Sequence, residues 1–180
     1  MPANLLGPLI TSKTRLKLLL RFFVNQDLSG YLQGLSKELD ENSNSVRVEL
    51  NRLEEAGMLR SEQEGRRKLY RVNKKHPLTS DLTTMLRKVT GIDTILERVI
   101  SKVQDQLQEV WICGRLAQGL DSETIEVLLI GEGLDQDYIS SLVHKTEEII
   151  DKKILCEIKE TLSESENSNC LLIWQKTGEQ

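Results

Sequence analysis

Residues 43–71 read Ser-Asn-Ser-Val-Arg-Val-Glu-Leu-Asn-Arg-Leu-Glu-Glu-Ala-Gly-Met-Leu-Arg-Ser-Glu-Gln-Glu-Gly-Arg-Arg-Lys-Leu-Tyr-Arg, and this stretch decides the fold. Val46, Leu50 and Leu53 recur at helical spacing and form one apolar stripe. Asn42 or Ser43 supplies the N-terminal cap, and Gly57 takes the position of a helix-ending glycine. Met58 to Glu62 and Arg67 to Val72 then alternate as two strands around Glu64-Gly65-Arg66. The polar remainder of the helix, Asn44, Ser45, Arg47, Val48, Asn51 and Arg52, is left for solvent.

That pattern has a physical use. Side chains on the first two turns of an exposed helix can reach base edges in a DNA groove. Arginine suits guanine O6 and N7, and asparagine suits adenine N6 and N7. Asn44, Ser45, Arg47, Val48 and Asn51 are therefore the candidate base contacts. Lys37 and Arg52, with Arg66, Arg67 and Lys68 at the hairpin tip, are the candidate phosphate contacts.

Upstream, Leu16, Leu19, Leu20 and Phe23 mark a helix that begins near Ser12 and stops in the breaker-rich run Asn25 to Gly30. Tyr31 and Leu32 suit a brief strand, and Gly34 to Asp40 a short second helix. Three helices followed by a basic-tipped hairpin predict a winged helix-turn-helix over residues 1–76. The segments Leu35-Ser36-Lys37-Glu38-Leu39 and Val46 to Leu59 resemble bacterial winged-helix regulators of the ArsR-like type. The resemblance implies a DNA-binding transcriptional regulator. The metal-sensing branch of that family uses clustered Cys or His, and residues 1–76 hold no cysteine.

Charge agrees with this division. The net charge is −4, but residues 1–76 carry 14 Lys and Arg against 9 Asp and Glu, whereas residues 77–180 carry 10 against 19. A basic half joined to an acidic half predicts one DNA-facing domain and one with another task. No apolar run approaches the ~18 residues that span a bilayer, and no signal-peptide pattern opens the chain. The expected location is the cytoplasm, without membrane contact. Cys113, Cys156 and Cys170 are widely spaced and odd in number, so they are expected to be buried reduced thiols. His76 and His144 lack partners at ligand spacing, so no metal or other cofactor is expected.

Past Pro77, Leu82, Met85, Leu86 and Val89 mark a helix. Ile92, Ile95, Leu96, Val99, Ile100 and Val103 mark another, or its continuation past Gly91. Residues 77–105 thus form a helical connector, which packs on the chain itself or serves as a homodimer interface. In residues 106–180, strands are expected at Glu109–Cys113, Ile125–Ile130, Ile154–Ile158 and Cys170–Trp174. A helix is expected from Asp135 to Lys152, and a polar loop from Ser163 to Asn169. The whole is α+β, ending in a small α/β layer.

The run Gly114 to Gly119 ahead of Thr124 to Gly131 resembles the minimal nucleotidyltransferase fold over about residues 107–160. The family carries Gly-Ser after its first strand and Asp-x-Asp on its second. Here Arg115 replaces the serine, and Thr124 and Glu126 replace the aspartates. Two-metal transfer needs several anionic oxygens, so the resemblance implies a scaffold without transferase chemistry. Gly114, Arg115, Gly119 and Glu126 remain a candidate residual nucleotide or anion site. The expected protein is a non-enzymatic regulator binding double-stranded DNA as a dimer, with a small-molecule or protein effector at the C-terminal domain. The alternative is a nucleotidyltransferase carrying a nucleic-acid-binding module.

Overall fold

The computed structural model describes residues 6–161 and 169–176. The predicted polar loop Ser163 to Asn169 lies outside them except for Asn169. The protein is α+β and divides into two compact units. The first comprises Met1–Thr90 with Gly119–Asp121, and the second Gly91–Gln118 with Ser122–Gln180.

In the first unit, α1 (Lys13–Phe23) starts at Ser12, whose hydroxyl accepts from the Arg15 amide at 3.2 Å. Strand β1 (Ser29–Tyr31) leads into α2 (Leu32–Glu38) and α3 (Ser43–Glu55). The second helix starts two residues earlier than its composition predicts. Leu32 belongs to it rather than to the strand, because Tyr31 already has the extended conformation of a cap residue. Asn42 caps α3, accepting from the Asn44 amide at 2.8 Å.

Helix α3 ends as the glycine predicts. Gly57 adopts φ +73, and its amide donates to the Glu54 carbonyl at 2.8 Å, while Met58 donates to Leu53 at 2.9 Å. That double bond is a Schellman stop, and it turns the chain directly into β2 (Leu59–Glu64). Strand β3 (Arg67–Val72) returns antiparallel, with Glu64 opposite Arg67 and Leu59 opposite Val72. β3 also pairs with β1, so the sheet order is β1-β3-β2. Helix α4 (Thr79–Thr90) packs on α1. Leu18, Phe22, Phe23, Leu35, Leu50, Leu59 and Leu86 are fully buried. Each such side chain contributes about 1.5–3 kcal/mol relative to exposure.

The second unit opens at Gly91, whose φ of +94 breaks the helical run. Helix α5 (Ile92–Ile95) continues through a π-helical turn, Leu96–Ile100, into α6 (Ser101–Val103). Strand β4 (Leu107–Cys113), the short α7 (Gly114–Ala117), β5 (Thr124–Gly131), α8 (Gln136–Ile150), β6 (Lys153–Lys159) and β7 (Cys170–Gln175) follow. The sheet order is β6-β5-β4-β7. β6 runs parallel to β5, as a strand–helix–strand crossover requires, and the other pairs are antiparallel. Asp135 caps α8, accepting from the Tyr138 amide at 3.0 Å. α8 then packs on β6 and on the π-helical turn.

One expectation about the cysteines is overturned. Cys113 and Cys170 face each other across β4 and β7 and are joined as a disulfide, with Cα atoms 4.1 Å apart. Spacing along the chain could not reveal it, because the pair meets only through the strand register. Cys156 alone is a free thiol among the described residues, and its half-buried position pushes its pKa up to about 11.

Candidate nucleic-acid interface

Asn44, Ser45, Arg47, Val48 and Asn51 all lie on the exposed face of α3, while Val46, Leu50 and Leu53 are buried on the other. Arg47 donates to the Asn44 side-chain oxygen at 3.2 Å. Two candidate base readers therefore start hydrogen-bonded to each other, one turn apart. Val48 keeps 43% of its surface exposed, an apolar contact of the kind that meets a thymine methyl.

Glu49 also sits on the buried side, only 5% exposed, which apolar periodicity does not predict. Its carboxylate takes the Arg15 guanidinium at 2.8 Å and the Arg52 guanidinium at 3.2 Å. This ties α1 to α3. Burial alone would raise the Glu49 carboxyl. Hydrogen bonds from Arg15 and Ser12 and the charge of both arginines outweigh it, and its pKa falls below the ordinary value.

The hairpin is braced at two heights. Lys68 donates to both Glu54 carboxylate oxygens, at 3.0 and 2.8 Å, and Ser61 donates to the same carboxylate. β2 and β3 are thereby fastened to the last turn of α3. Nearer the tip, the Tyr31 hydroxyl donates to Glu64, and the Arg67 guanidinium lies 5.9 Å from the Tyr31 ring centre. Tyr31 and Glu54 were legible only as a strand residue and a helix-end charge; their bracing role needs the fold. Arg66 stands in the exposed turn beside Gly65, and Lys37 is exposed on α2. Among the candidate phosphate contacts, then, Arg52 and Lys68 are held in ion pairs, and Arg67 is steered by an aromatic ring.

These carboxyls give the first unit an acid limit. Lys68 and Ser61 hold Glu54 below 4.5, and Lys17 and Thr14 do the same for Glu41. With Glu49, three folded-state values are depressed. Such groups contribute stability that is fully present above the unfolded value and lost as pH falls through the folded ones. The first unit should keep a constant melting temperature down to about pH 4.5 and lose stability below it. Thermal unfolding followed by far-ultraviolet circular dichroism across an acid series measures this. A melting temperature unchanged through that range would remove the three pairs from the stability of the fold.

In the second unit, Gly114 opens α7 with φ +63, and Arg115 is exposed. The Glu126 carboxylate lies against Gly114, where an added Cβ would meet Oε1 at 2.2 Å. Gly119 belongs to the first unit, close against the Leu20–Arg21 backbone. Gly114 and Glu126 are thus brought together, while Gly119 is not part of their unit. No cluster of three or more ligating side chains that could hold a metal occurs among the described residues. No described helix is long and apolar enough to cross a membrane.

Residues 28–76, from just before β1 to just past β3, match the model of a family described as PaaX-like protein. No curated protein and no solved structure matches the chain. The family match corrects the resemblance drawn from sequence for this segment. The segment is similar to the PaaX-like family and not to ArsR-like regulators. The physical reason is visible in the residues that carried the earlier resemblance. Leu53, Gly57 and Leu59 are core and helix-stop positions that this geometry demands in any such segment. Nothing supports the nucleotidyltransferase resemblance either. A strand–helix–strand order follows from building a small α/β layer and carries no chemistry by itself.

Proposed function

We propose that this protein is a sequence-specific DNA-binding transcriptional regulator and not an enzyme, with its first unit acting as a winged helix-turn-helix. The observation that carries the reading is the outward face of α3, where Asn44, Ser45, Arg47, Val48 and Asn51 are all exposed above a fully buried apolar stripe. Helix α3 enters the major groove and the β2–β3 hairpin meets the flanking backbone. Lys37, Arg66 and Arg67 neutralise phosphates, and Arg52 and Lys68 contribute from within their ion pairs. The PaaX-like match over residues 28–76 supports a regulator, since that family consists of regulators. We take the operator to be two-fold and the protein to bind it as a homodimer, with the second unit available to an effector or partner.

Selection of bound fragments from genomic DNA, followed by gel shift of the winners against scrambled DNA, tests the reading. Retention of one motif, with affinity falling as salt rises, is the expected result. Equal affinity for every fragment would remove sequence reading, and salt-independent binding would remove the phosphate contacts. The hairpin has its own test. Changing Arg66 and Arg67 together to alanine should weaken binding to all sequences and flatten the salt slope by about 2 units, one for each lost phosphate contact. An unchanged slope would take the hairpin tip off the DNA.

A further inference from the structure

We propose that Cys113 and Cys170 form a reversible redox site, a thiol–disulfide pair that fastens β7 to β4 when oxidised and frees it when reduced. The two residues are direct partners in the β4–β7 ladder, so they can join without moving either strand. β7 stands at the edge of the sheet and pairs only with β4 among the described residues. The register of that pairing slips between Val110 and Trp111. Beyond the slip the ladder is short, running through Trp111–Leu172 and Ile112–Leu171 to Cys113–Cys170. The disulfide therefore closes the terminal pair of that ladder, at the first residue of β7.

Access and selectivity are both present. Cys113 and Cys170 are half-buried and line an open groove of about 430 Å³ with Glu126, Leu155 and Lys159. A small oxidant or dithiol can reach them there. Cys156 lines the same groove, but its raised pKa leaves little thiolate to compete. The case for reversibility rests on the DNA-binding reading. A protein that works beside a genome sits where thiols are kept reduced, and a reachable disulfide in such a place records oxidation rather than serving as a permanent strut.

With hydrogen peroxide as oxidant the step balances. One thiolate attacks a peroxide oxygen, breaking the O–O bond to give a sulfenic acid and hydroxide. The second thiol displaces the sulfenic oxygen, forming the S–S bond. Two thiols and one peroxide thus yield one disulfide and two waters. A dithiol reductant reverses it, supplying two electrons and two protons and leaving as its own disulfide.

The full chain, treated with peroxide or with dithiothreitol under native conditions, is alkylated and mapped by mass spectrometry, with hydrogen exchange of β7 measured in parallel. Oxidised protein should protect Cys113 and Cys170 from alkylation, with Cys156 recovered as a thiol after unfolding, and reduction should restore both labels. β7 amides should exchange about tenfold faster or more once reduced. C156S should behave as the unaltered chain, and C170S should lose the redox response of β7. Reduction that requires unfolding, labelling of Cys113 after peroxide, or β7 exchange equal in both states would each overturn the proposal. A gel shift of the same two samples reads DNA binding separately, so loss of the DNA reading would show there while labelling and exchange still decide the switch.

Discussion

Replacing Leu50 with alanine should destabilise the first unit by about 2–5 kcal/mol, the range for removing a leucine from a packed core. Leu50 is fully buried on α3, which packs against both α1 and α2. Helix α3 is also held to α1 by the Arg15–Glu49 pair at 2.8 Å, so collapse into the gap is restricted. Domains of this kind have only ~5–15 kcal/mol in total, so the loss is a large share of the whole. Denaturant unfolding, compared with the unaltered chain, gives the size of the effect. A loss below ~1 kcal/mol would mean that α3 is not anchored through Leu50. DNA affinity should fall only in proportion to the folded fraction, and a larger fall would point to a rearranged α3.

Replacing Arg47 with alanine should do the opposite, leaving the fold intact and damaging recognition. Arg47 is exposed, and its one described hydrogen bond is to Asn44, at 3.2 Å. Alanine is a strong helix former, so the stability change should stay within ~0.5 kcal/mol. On the selected operator, binding should weaken by about 1–3 kcal/mol, roughly 5- to 150-fold, with relaxed preference at one base pair. Equal weakening on operator and scrambled DNA would reassign Arg47 to the backbone. Asn44 complicates the reading in a useful way. Since Arg47 and Asn44 are bonded to each other, a double substitution should fall short of the sum of the singles.

What the sequence makes legible follows from what local chemistry can encode. Helix α3 was readable because its cap, its apolar stripe and its terminal glycine all lie within sixteen consecutive residues, from Asn42 to Gly57. The hairpin was readable from alternation and from Gly65. Glu49 was not, because an acid in an apolar stripe looks like an exposed charge until Arg15, 34 residues away, is brought beside it. Tyr31 and Glu64 are 33 residues apart and meet only when β1 joins the sheet. The Cys113–Cys170 bond spans 57 residues and depends on the β4–β7 register. The resemblances went astray for a related reason. They weighted residues that such turns require in many unrelated chains, so they attached the wrong kinship.

The double bracing of the hairpin bears on speed as well as on shape. A ribbon already fastened by Glu54 to a helix and by Tyr31 to a neighbouring strand has little freedom left to surrender on docking. Encounter should then be set by diffusion and long-range attraction rather than by a slow adjustment of the ribbon. Variants that cut the braces should arrive more slowly, even where every group that touches the partner is still in place.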